Sequence, residues 1–343
     1  MFGAALGDAL GSRFHSFPSK SMRNNIIPTD LETLFDAQYE LEISNETQMA
    51  LFTAEGLLRS ETREHVNGIS HTPSVVYSAY LRWLFTQGYD RFSVLNEIYD
   101  GYLISLPEMR RRKYPGIASI SALRTGEKGE ISEPINNSRG SDGIARTHPI
   151  GLFFEREYAF KIGCECCAIT HGNAAAYLAA GAFAHIISSI MSGMNVKDSL
   201  KLALSRLESE NGHLECSKKL SLALDLFEMN LSEEKSFSII GDGWKGHEAL
   251  AMGVYCALNL GKEENNFKEA FLDKLIMLSN YSRNTSSIGS VMGSIMGVLM
   301  GEEYIPEKLW TKMKCHNLIE EICLDLNLVY SNSDMWVEKY PGH

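Results

Sequence analysis

A chain of 343 residues, 44% hydrophobic and 22% charged, has the make-up of an ordinary globular protein with ample core, and its length allows two average domains or one large one. A formal net charge of −11 excludes a general nucleic-acid binder, which carries a basic surface. Seven cysteines, an odd number without regular spacing, point to free thiols in a reducing cytoplasm.

In chain order, helical signals dominate. The chain opens on Gly3, Gly7 and Gly11 at four-residue spacing, and no basic segment precedes an apolar core there, so no signal peptide is read. Residues 47–59 place Met49, Leu51, Phe52, Ala54, Leu57 and Leu58 at helical spacing. The same periodicity predicts helices over 74–86, 92–105, 154–168, 174–191, 196–207, 216–228, 248–260, 267–278, 287–300 and 310–328. No convincing alternating strand appears and no composition break marks a linker, so the expected fold is all-α, one helical domain over residues 1–343. The most lipid-like stretch, 288–300, is shorter than the ~20 residues a spanning helix needs and is read as core, so no membrane partner is expected.

A second glycine ladder, Gly289, Gly293, Gly297 and Gly301, repeats the spacing of the first. Glycine within a helix costs up to about 1 kcal/mol against alanine, so seven of them require close backbone approach. Pure core packing suffices as an explanation. Such packing would also draw together the loops flanking the two ends of the chain.

Among the loops, 125–147 is the longest stretch without helical period. Its part from Asn136 to Gly143 is rich in turn formers that suit either a surface turn or close approach to a ligand. The string from Gly241 to Gly246 matches G-x-G-x-x-G, but its neighbours are helices, so a dinucleotide fold is rejected in favour of a tight loop with free amides. Cys164, Cys167 and His171 could share a helix face as zinc ligands, although buried small thiols are the commoner outcome. The basic run from Arg110 to Lys113 reads as a solvated helix end or a phosphate contact. Neither a G-x-S-x-G elbow nor an HExxH motif is present.

Taken in order, these pieces resemble the ADP-ribosylglycohydrolase family. The matching segments are Gly3 to Gly11 with Asp8, Ser44 to Leu51, Tyr80 to Trp83, Gly140 to Gly151, Thr170 to Gly172, Gly243 to Leu250, and the loop before Gly289. The resemblance implies one all-α domain holding two Mg2+ or Mn2+ ions, which orient ribose hydroxyls while a carboxylate activates water. Its reaction is hydrolysis of the bond joining ADP-ribose to a protein side chain or small molecule. Glycine-rich loops and an aromatic residue would hold the diphosphate and adenosine. Transferred to this chain, the ligand-binding positions are Gly140, Ser141, Asp142, Gly143, Arg146, His171, Gly241, Gly243 and Trp244. The metal positions are Ser44, Asn45, Glu46, Asn284, Ser286 and Ser287, with Glu46 also the residual catalytic carboxylate.

Here the chain departs from the family pattern. The first metal loop usually reads Ser/Thr-Asp-Asp-Thr and the second Asp-x-Asp-Ser/Thr. Of four expected aspartates, one is the longer Glu46 and three positions are neutral. Hard divalent cations want several anionic oxygens, so at most one weakly held ion is expected. Arg283 is expected to face Glu46 and partly replace the missing metal charge. Asp142 stands where the phosphate loop usually has glycine, and Arg139, Arg146 and Lys245 could attract a diphosphate that Asp142 and Asp242 would repel. Whether Asp8 or Glu248 compensates for the lost ligands is left open. Three functional readings follow. The first is a pseudoenzyme that recognises ADP-ribose, an ADP-ribosylated protein or an ADP-ribosylating toxin. The second is an active but atypical hydrolase. In the third, the chain is a protein-interaction module, such as a toxin-neutralising protein, whose pocket is closed by Arg283, His148 or Lys245.

Overall fold

The computed structural model describes residues 1–15, 40–92, 98–113, 115–260, 267–282, 284–301 and 307–343. Its helices of twelve residues or more are α1 (Phe2–His15), α2 (Asn45–Asn67), α3 (Thr72–Thr86), α4 (Arg156–Ala168), α5 (Ala174–Met191) and α6 (Val196–Leu207), then α7 (Leu214–Glu228), α8 (Gly246–Leu260), α9 (Phe267–Tyr281), α10 (Thr285–Met300) and α11 (His316–Leu328). Among the described residues there is no β-strand, only the isolated bridges Leu41–Met313 and Gly140–Lys245. The fold is all-α, and its buried apolar side chains, from Ala5 in α1 to Tyr340, form one cluster.

The glycine ladders explain how the two ends of the chain meet. Helices α1 and α10 run antiparallel, with Gly3 against Gly293, Gly7 against Gly289 and Gly11 against Thr285. A β-carbon on Gly3, Gly7 or Gly11 would collide with the facing carbonyl, so only glycine permits this spacing. Because the pair is antiparallel, the C-terminal end of α1 lies beside the N-terminal end of α10. The expectation that packed ladders would bring distant segments together is met here.

A buried polar frame locks α2 and α3. Ser44 caps α2 by accepting from the Glu46 amide at 3.1 Å, and Gly68, at φ 72°, ends it. Glu55 on α2 and Arg82 on α3 pair at 3.0 Å, with both side chains no more than 1% exposed. Trp83 Nε1 donates to Gln48 Oε1 at 3.3 Å, and Tyr80 and Thr53 share a hydrogen bond at 2.8 Å. The Tyr80–Trp83 and Gln48–Leu51 segments are therefore two halves of one internal joint, and satisfied buried polar groups of this kind fix register.

Four expectations need correction. The helix read over 92–105 is represented, in its described part, only by the turn Tyr102–Ser105, because Gly101 sits at φ 95° and Arg59 holds Asp100 at 2.9 Å. The helix read over 310–328 breaks between Glu307–Lys312 and α11. There the Leu41 amide donates to Lys312 O, the Lys314 amide donates to Leu41 O, and Cys315 turns to φ 66°. Several helices escaped notice: Ile117–Leu123, His148–Phe153, Glu233–Ile240 and Asp334–Lys339 span at most eight residues, too few for a period to show. Finally, among the described residues the most membrane-like segment is Ala174–Met191, not 288–300: it is long and apolar enough to cross a bilayer, but 83% of it is buried inside the protein.

Candidate functional site

At the meeting of α1 and α10 lies a cavity of about 790 Å3, whose wall includes Ser44, Asn45 and Glu46 from the start of α2 and Asn284 and Ser286 from the start of α10. Gly140, Ser141, Asp142 and Trp244 face the same space. The two loops expected to form one site thus do so, although 238 positions separate Glu46 from Asn284.

The first loop hangs from α1. Asp8 is fully buried and accepts four hydrogen bonds: Ser44 N at 2.9 Å, Ser44 Oγ at 2.5 Å, Thr47 N at 3.3 Å and Thr47 Oγ1 at 2.5 Å. Burial raises the Asp8 pKa, against the pull of these four donors. All four of these bonds come from the loop and the start of α2, and Asp8 is not on the cavity wall.

Glu46, 4% exposed, accepts from Ser287 Oγ at 2.6 Å through Oε1, while Oε2 is buried without a partner. Burial pushes the Glu46 carboxyl up to about 8, reinforced by the negative charges of Asp142 and Asp8 and opposed by Ser287 and Arg146. In the second loop, Ser287 Oγ also lies 3.3 Å from Asn284 Oδ1, and Asn284 Nδ2 donates to Ser141 Oγ and, at 3.4 Å, to Gly243 O. Asn284 therefore points donors, not acceptors, toward the cavity wall. Arg283, expected opposite Glu46, lies outside the described residues.

The two glycine loops are joined to each other, which no feature of the sequence announced. Gly140 bridges Lys245: the Ser141 amide donates to Trp244 O at 3.1 Å and the Gly246 amide to Arg139 O at 2.8 Å. Trp244, 48% exposed, stands at the cavity mouth. Gly241 and Gly243 adopt φ of 144° and 79° and shape the turn leading into α8 without reaching the cavity.

Asp142 is the largest departure from a phosphate loop. Its carboxylate lies between Gly116 and Gly140, where any β-carbon on those glycines would strike it. His171 Nε2 meets Oδ1 at 2.8 Å and Ser119 Oγ donates to Oδ2 at 2.7 Å. Burial works against ionisation, but His171, Ser119 and Arg146 together hold the Asp142 pKa well below the usual carboxylate range. His171 is fully buried behind it, bonded also to Thr170 Oγ1 at 2.8 Å, and Gly143 packs against the same ring.

Arg146, expected to attract a diphosphate, is fully buried and does not face the cavity. It donates to Thr170 Oγ1 at 2.5 Å and lies 4.3 Å over the Tyr80 ring, so its charge acts on Asp142 and Glu46 from beneath. Glu248, the other potential compensating carboxylate, accepts from Lys245 at 2.9 Å and is likewise absent from the cavity wall. His148 is buried with Nδ1 at 2.8 Å from Ala145 O, so neither it nor Lys245 closes the pocket. His171, read as a zinc ligand with Cys164 and Cys167, instead turns Nε2 to Asp142 and Nδ1 to Thr170. All seven cysteines are free. Among the described residues no group of three or more His, Cys, Asp or Glu side chains is placed to hold a metal ion.

The sequence profile of ADP-ribosylglycohydrolase matches residues 1–334. The chain belongs to that family. Among solved structures, an ADP-ribosylglycohydrolase-related protein complex has a similar fold, with TM-score 0.57 and 17% identity, covering 95% of each chain. No curated protein matches the chain. Ser12, Arg13, Glu40, Glu42, Ile43, Lys113 and Gly116 complete the cavity wall and were missed as site residues. Only Lys113 had any sequence signal, the basic run, and the Leu41–Met313 bridge that carries Glu40 and Glu42 to the rim is invisible in sequence.

Proposed function

We propose that this ADP-ribosylglycohydrolase-like protein is a pseudoenzyme that recognises ADP-ribose, free or attached to a protein, with little or no turnover. One observation carries the reading: across both metal loops a single carboxylate oxygen, Glu46 Oε2, lacks a protein partner. Asp8 is saturated by Ser44 and Thr47, and Asn284 and Ser287 are bonded to each other and to Ser141 and Glu46. Two dications a few ångströms apart repel strongly, by about 4 kcal/mol even for unit charges at ~4 Å and an effective dielectric of ~20. One carboxylate cannot offset that, so these residues do not fit a metal pair. The open cavity and the exposed Trp244 at its mouth support retained ligand recognition.

A second reading, an atypical hydrolase, draws on the same unpartnered Glu46 oxygen, which could serve acid–base chemistry without metal. Restoration separates the two. The variant combining Asn45→Asp, Glu46→Asp, Asn284→Asp, Ser286→Asp and Arg283→Gly is expected to release ADP-ribose from modified peptides in Mg2+, whereas the natural chain does not. Release by the natural chain, lost in Glu46→Gln, would establish the hydrolase instead.

A further inference from the structure

We infer that the surface beyond the end of α3 docks an acidic polypeptide segment, gripped by the guanidinium groups of Arg91, Arg112 and Arg124. Past Gly88, at φ 86°, Tyr89 and Phe92 fold against the core, and the Phe92 amide donates to Tyr99 Oη at 3.0 Å. That bond carries Arg91 onto the rings of Phe85 and Tyr99, whose centroids lie 4.4 and 5.3 Å from its guanidinium carbon. Two further segments bring arginines to the same surface. Residue 111 is extended, at φ −80° and ψ 115°, so neighbouring side chains of the basic run face opposite ways. Arg111 and Lys113 reach Glu42, whereas Arg112 lies 5.5 Å from the Tyr89 ring and donates to its hydroxyl at 3.0 Å. Arg124, at the end of the helix Ile117–Leu123, lies 5.3 Å from the same ring. The turn that follows packs on Phe92, whose ring a β-carbon on Gly126 would strike.

The charge state of these arginines sets the surface apart. Among the described residues, the arginines in ion pairs are Arg59, Arg82, Arg111, Arg139 and Arg206. Arg91, Arg112 and Arg124 are exposed and rest on rings, not on carboxylates. Asp90 and Glu127, close to them in sequence, are in none of these ion pairs either. A ring beneath a guanidinium restricts it without neutralising it, so its N–H donors stay available to an oxyanion. None of the three lines the cavity, so the surface is separate from the ligand site. With a net charge of −11, the chain would repel a nucleic acid or an anionic membrane beyond the patch. A short acidic segment confines its charge to the three arginines.

Fluorescence anisotropy of a labelled oligoglutamate peptide, titrated with the full chain at low ionic strength, tests the proposal. The natural chain is expected to bind the peptide. Arg91→Gln, Arg112→Gln and Arg124→Gln combined should weaken binding about tenfold or more, through lost charge-assisted contacts. The same three positions changed to lysine keep the charge but lose the planar forks, and should give an intermediate affinity. Arg63→Gln, which removes an exposed arginine of α2, should leave binding unchanged. Absent peptide binding, an equal loss in Arg63→Gln, or a triple lysine variant as tight as the natural chain would each overturn the proposal. So would tighter binding of a single-stranded oligonucleotide or of anionic phospholipid vesicles than of the peptide.

Discussion

The α1–α10 seam and the cavity at its end are neighbours built under different constraints. Along the seam the contacts are backbone against backbone, and size alone decides which residue is allowed at Gly3, Gly7, Gly289 and Gly293. At the end of the seam, Asn45, Glu46, Asn284 and Ser286 line a cavity instead of a facing backbone. The seam delivers the two loops to one place whether or not they carry charge. A fold can therefore bring two distant loops together independently of the side chains they carry, and family membership fixes the frame more firmly than the reaction.

Substitutions that break this contrast differ in size. The largest effect is expected for Gly7→Val, which forces a side chain into the Gly289 carbonyl: about 4 kcal/mol or more of stability should be lost in denaturant titration. Ser286→Ala at the cavity wall should change stability by less than about 0.5 kcal/mol in the same assay. Next comes Asp8→Ala, which strands the buried donors of Ser44 and Thr47 and should cost about 2–3 kcal/mol.

A smaller effect concerns pH. Glu46 is held well above its ordinary value of 4.5, at about 8, so the folded state binds its proton more tightly than the unfolded state. Its contribution to stability is complete below pH 4.5 and is lost as pH rises toward 8. Glu46→Gln should flatten that slope in melts recorded between pH 5 and 8, and an unchanged slope would assign it elsewhere. The smallest effect is expected for Trp244→Ala, with roughly tenfold weaker ADP-ribose binding by calorimetry and an unchanged melting temperature, because the ring stands half-exposed at the mouth.

Much of the frame was legible because helical periodicity and glycine spacing are local signals. The bounds 174–191 and 196–207 were read exactly, and the ladders correctly implied that the chain ends meet. The helix over 310–328 misled because its apolar period continues through Cys315, while the break is imposed from outside by the Leu41 bridge. At the site, Glu46, Asn284, Asp142 and Trp244 were found by resemblance, and the structure places all four on the cavity wall. Arg146 was misjudged because a sequence shows that a cation is present, not that Tyr80 and Thr170 hold it under the wall. Glu42 and Lys113 were not assigned to the site because their meeting depends on three segments far apart in the chain.

The most direct test of the central claim is calorimetric titration of ADP-ribose into the natural chain, first in Mg2+ and then in EDTA. If the protein is the metal-independent binder proposed above, binding should persist with an affinity that differs by less than about twofold between the two buffers. Affinity that disappears in EDTA and returns with two equivalents of Mg2+ would contradict the account and restore the protein to the metal-dependent hydrolases.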